Sequence, residues 1–116
     1  MTVAIRIEAV DDPAHVQAVI DRWLGSLDGG PAAVLFEAPL KISRLLRPLP
    51  ALVEAVELAL GCPCCTGALA LRVTLVRVAQ RLKPTGLLLL LTRIEHAARL
   101  QALVRSGELG SDLRLV

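Results

Sequence analysis

Val3, Ile5 and Ile7 alternate with Ala4, Arg6 and Glu8, the period of two expected of a strand with one buried face. The pattern predicts a strand from Thr2 to Val10. Asp11-Asp12-Pro13 then offers an N-cap and a proline suited to a first helical turn. Val16, Val19, Ile20, Trp23 and Leu24 recur on one stripe, predicting a helix over Pro13 to Leu27 that stops at Gly29-Gly30-Pro31. Ala32 to Phe36 is a short apolar run between Pro31 and Pro39, which fits a buried strand. Pro48 and Pro50 make Lys41 to Pro50 irregular, and Ala51 to Leu60 fits either three helical turns or a strand feeding Gly61. Leu71, Leu75, Val78, Ala79 and Leu82 fall at helical spacing between Thr66 and Lys83, and Pro84 and Gly86 end that pattern. Leu87 to Leu91 is wholly apolar, as in a strand covered on both faces. Ile94 to Arg105 reads as a helix closed by Ser106-Gly107, and Leu113 to Val116 as a last strand.

Strands alternating with helices in this way predict an α/β fold: three layers, a mostly parallel sheet, and helices on both faces. With 116 residues the chain is read as a single domain, 1–116. In such sheets the chemistry collects beyond the carboxyl ends of the strands, so the segments that follow strands are the ones to search.

Composition narrows the function classes. Hydrophobic residues are 54% of the chain, ample for a core, but aromatics are only 2%, which removes the stacking platforms that single-stranded nucleic acids use. The longest uncharged stretch, Leu58 to Leu71, is shorter than the roughly 20 residues of a membrane span and contains Gly61 and Pro63. Acids stand at the N-terminus where a secretory signal would carry bases, so a cytoplasmic protein without a membrane partner is expected. Net charge is −3 over residues 1–65 and +5 over residues 66–116. A solvated basic face accounts for this, since Arg72, Arg77 and Arg81 sit in no nucleic-acid-binding motif. The apolar content exceeds what a chain of this size buries, so self-association as a homodimer is expected.

All three cysteines lie within Gly61-Cys62-Pro63-Cys64-Cys65-Thr66, between the fourth candidate segment and the helix that starts near Thr66. A helix N-terminus favours thiolate over thiol, and closely spaced thiolates bind soft ions, so zinc or copper(I) is expected at Cys62, Cys64 and Cys65. A buried set of thiols and a thiol-redox pair are the alternatives. A stable disulfide between such near neighbours is strained.

The Gly-Cys-x-Cys-Cys-Thr segment at Gly61–Thr66, entering a helix from a strand, resembles the signature of the CobW-like metallochaperone GTPases, which include cobalamin-synthesis, zinc-homeostasis and nitrile-hydratase-activator proteins. Ile5 to Val10 and Val19 to Leu24 look like the strand and helix around that family's phosphate loop. Phe36-Glu37-Ala38-Pro39-Leu40 looks like its Asn-Glu-Phe-Gly-Glu segment, with Glu37 kept and Leu40 in place of the second acid. The resemblance implies a degenerate phosphate-loop NTPase-like core and puts Glu37 beside the metal.

The departures decide the activity. A phosphate loop needs paired glycines and a lysine, whereas Ala9 to His15 is acidic and the only lysines, Lys41 and Lys83, follow leucines. Where the family has Glu-Thr-Thr-Gly, this chain reads Leu90-Leu91-Thr92-Arg93. The expectation is a non-enzymatic, nucleotide-free metal-binding protein. Its metal residues would be Cys62, Cys64, Cys65 and Glu37, and it would serve metal delivery or homeostasis with a metal-recipient protein as partner. The competing expectation is a non-catalytic partner of a metallochaperone GTPase or its client enzyme. His15 and His96, both after strand ends, are weaker ligand candidates.

Overall fold

In the computed structural model, residues 3–10, 12–27, 29–37, 40, 49–58, 68–107, 109 and 112–116 are described. Among these residues are five strands, β1 (Val3–Ala9), β2 (Ala32–Glu37), β3 (Val53–Leu58), β4 (Gly86–Leu91) and β5 (Leu113–Leu115), and three α-helices: α1 (Val16–Gly25) between β1 and β2, α2 (Ala68–Leu82) between β3 and β4, and α3 (Ile94–Ser106) between β4 and β5. The strands form one sheet in the order β3-β2-β4-β1-β5, and every pairing is parallel. This is the three-layer α/β arrangement that the alternation of patterns predicts.

The leucine run of β4 explains its own position. Leu87, Leu89 and Leu91 enter one core with Leu71, Leu75 and Val78 of α2 and Ala97, Leu100 and Val104 of α3. Leu88 and Leu90 enter the opposite core with Val16, Val19, Ile20 and Trp23 of α1. A strand apolar on both faces therefore lies mid-sheet under helices on both sides. The alternation of β1 has the complementary cause. Val3, Ile5 and Ile7 are buried in the core shared with α3, while Ala4, Arg6 and Glu8, on the opposite face, are only half-buried.

Local geometry refines the expected boundaries. The segment after β1 begins as a 3-10 turn, Pro13–His15, and the α-helix starts only at Val16. Asp12 caps the turn, its Oδ1 accepting from the Ala14 N–H at 2.9 Å, whereas His15, at the N-cap of α1, makes no side-chain cap. The ambiguous run Ala51 to Leu60 is a strand over Val53–Leu58, in register with all of β2. Gly107 ends α3 in the left-handed conformation with φ 83°, the usual use of glycine there. Gly86 opens β4 against the turn that follows α1: a Cβ there would stand 2.8 Å from Leu27 Cδ2. Among the described residues no helix is long and apolar enough to cross a membrane.

Candidate functional site

The order of the strands fixes where a ligand crevice opens. From β1 the chain passes through α1 on one face to β2, and from the adjacent β4 it passes through α3 on the other face to β5. Two neighbouring strands whose connections depart to opposite faces form a topological switch point, and the crevice beyond their carboxyl ends is the binding position of open α/β sheets. The two strands are tied at that end by the Val10 N–H, which donates to the Leu91 carbonyl at 2.7 Å.

Glu37, the last residue of β2, turns into this region. Its Oε1 accepts from the backbone N–H of Thr92 at 2.9 Å and from the Thr92 hydroxyl at 3.4 Å. Glu37 ends β2 and Thr92 follows β4, and the β2–β4 register, which pairs Phe36 with Leu90, brings them level. His96, in the first turn of α3, lies with its Nδ1 3.9 Å from the same Glu37 oxygen. The two side chains keep only 16% (His96) and 13% (Glu37) of their surface exposed. A largely buried carboxylate and imidazole thus meet at the end of the sheet, the carboxylate held by a backbone donor.

The other residues singled out from the sequence divide cleanly. His15 is exposed at the start of α1, and Asp12 is engaged as a local cap. Cys62, Cys64 and Cys65 lie outside the described residues. Their flanks are described: Leu58, the last residue of β3, is the register neighbour of Glu37, and α2 begins at Ala68. Among the described residues, no group of three or more His, Cys, Asp or Glu side chains is arranged to hold a metal ion. The Glu37–His96 pair supplies two donors, one oxygen and one nitrogen.

Sequence reasoning did not find Thr92 as the group that fixes Glu37. Nothing local signals it, because the contact spans 55 positions and depends on the pairing of β2 with β4. Neither family models, nor curated proteins, nor solved structures gave a match to this chain.

Proposed function

We propose that this chain is a small metal-binding protein that takes a thiophilic ion through Cys62, Cys64 and Cys65 with Glu37 beside them, and passes it on without hydrolysing a nucleotide. One observation carries the reading. Glu37, held by Thr92, ends β2 next to Leu58, and the cysteine segment begins four residues beyond Leu58 in the chain. The segment returns to the sheet through α2, whose Leu71 and Leu75 are anchored in the core.

The degenerate relation to CobW-like metallochaperones belongs to the same proposal and rests on Gly61–Thr66 and Glu37. So does a cytoplasmic location, where reducing conditions keep thiols available as ligands. A homodimer is the proposed assembly, since β3 and β5 are both edge strands and an uncovered edge offers unpaired backbone groups to another chain. Sedimentation equilibrium is expected to give twice the chain mass of 12.4 kDa. A single 12.4 kDa species with and without zinc would remove the dimer from the proposal.

The test of the function itself is elemental analysis of reduced, untagged protein. About one zinc or copper per chain, lost in the Cys64→Ser and Cys65→Ser variants, is the expected result. Metal-free protein that takes up neither ion would overturn the reading.

A further inference from the structure

We propose that the groove along β1, on the face of the sheet that carries α1, is a binding site separate from Glu37 and its neighbours, and that it takes a small amino carboxylic acid with an apolar side chain. The inference goes beyond the metal-binding reading and does not depend on it.

Strand register assembles the cationic end of the groove. Ala4 of β1 pairs with Arg114 of β5, and side chains alternate between faces along a strand, so Arg6 and Arg114 stand on one face of two adjacent strands. With Ala4, Trp23, Leu27 and Val116 they line a cleft of about 260 Å³. Arg6 is half-buried and Arg114 exposed, and among the described residues no acceptor pairs with either guanidinium. Neighbouring cations without a counter-charge repel each other, and a planar guanidinium binds a carboxylate through two parallel hydrogen bonds. A carboxylate between them relieves the repulsion and occupies their donors.

Past Arg6 the groove continues to Glu8 and Arg22. Glu8 is short of donors. Among the described residues its Oε2 is buried without a hydrogen bond, and its Oε1 meets Arg22 only at 3.9 Å, well beyond the ~2.9 Å of a charge-assisted hydrogen bond. The side chain keeps 30% of its surface exposed, and the last torsion of a glutamate turns over a broad range, so either oxygen can be presented to the groove. A buried acceptor without a donor is costly, and an ammonium group supplies the donor. A ligand with its carboxylate at Arg6 and Arg114 and its ammonium at Glu8 is an amino carboxylic acid. Ala4, Trp23 and Leu27 give the cleft an apolar wall for an aliphatic side chain. The cleft is smaller than the ~300 Å³ at which drug-sized pockets begin, so the ligand is small.

Trp23 is the only tryptophan of the chain and lines the cleft, so its fluorescence reports occupancy, and calorimetry gives the stoichiometry. The probes are L-leucine, 4-methylpentanoate, which is leucine without its amino group, and inorganic phosphate, each added to the full-length reduced protein. Leucine is expected to bind saturably, with 4-methylpentanoate at least about 10-fold weaker for want of a hydrogen bond to a charged group, and phosphate weaker than leucine. Arg6→Gln and Arg114→Gln are each expected to weaken both carboxylates at least about 10-fold. Glu8→Gln is expected to remove the advantage of leucine over 4-methylpentanoate without weakening the latter. Absence of saturable leucine binding at millimolar concentration, by either method, overturns the site. Equal affinities for leucine and 4-methylpentanoate, or phosphate binding as tightly as leucine, overturn the assignment of an amino carboxylic acid. The three probes on the wild-type protein decide the matter even if Arg6→Gln does not fold. Zinc content bears on the cysteines alone, so failure of this site and failure of the metal reading are told apart.

Discussion

Glu37 and Thr92, 55 positions apart, are joined at the end of the sheet by a hydrogen bond of 2.9 Å from the Thr92 N–H to the Glu37 carboxylate. The bond satisfies the backbone donor that follows β4 and orients a carboxylate lying beside both His96 and the strand that leads to the cysteines. A single side chain thus takes part in the fold and in the proposed site.

Removing that acceptor carries a stability cost that is separable from metal binding. Glu37→Ala leaves a part-buried N–H without its partner and is expected to lower the unfolding free energy by about 1–3 kcal/mol in metal-free urea titrations. Glu37→Gln keeps a carbonyl oxygen for the Thr92 N–H and is expected to cost less, while still weakening zinc binding. Equal, negligible costs for the two variants would show that the bond does not hold the sheet end.

The close approach at Gly86 is testable by coupling. Its Cβ would meet the tip of Leu27, a movable side chain, at 2.8 Å, so Gly86→Ala is expected to destabilise by ~1 kcal/mol, the lower end of overpacking costs. In a Leu27→Ala background the clash has no partner and the cost should vanish. A double-mutant cycle measured by chemical denaturation reads the coupling directly, and additive effects would contradict the packing argument.

The turn after β1 bears on nucleotides. Where a phosphate loop presents free N–H groups to an anion, the Asp12 carboxylate already accepts from Ala14 at 2.9 Å, and the segment has no lysine. Calorimetric titration with GTP or ATP in magnesium is expected to show no binding. Saturable micromolar affinity for either would require another site and would refute the nucleotide-free reading.

Much of this architecture was legible because burial leaves a mark on local sequence. The unbroken leucines of β4 announce a strand with a helix on each side, and the alternation of β1 announces one with a single covered face. Ala51 to Leu60 was ambiguous for the same reason. As an edge strand, β3 is held by one neighbour, and its mixed residues, five of the six exposed or half-buried, satisfy neither period strongly. The helix expected from Pro13 begins three residues later, because Asp12 closes a tighter 3-10 turn first. The site was legible only in parts. Glu37 could be picked out by resemblance and His96 by its place after a strand, but their proximity depends on the β2–β4 register. No pattern within either segment encodes that register.

The most direct test of the central claim is a zinc competition titration of the reduced protein against a chromophoric chelator, comparing the wild type with the Cys62→Ser, Cys64→Ser, Cys65→Ser triple variant. One tightly bound zinc per chain in the wild type, reduced to weak binding or none in the triple variant while the far-ultraviolet circular dichroism stays unchanged, is the predicted result. Identical stoichiometry and affinity in the two proteins would contradict it.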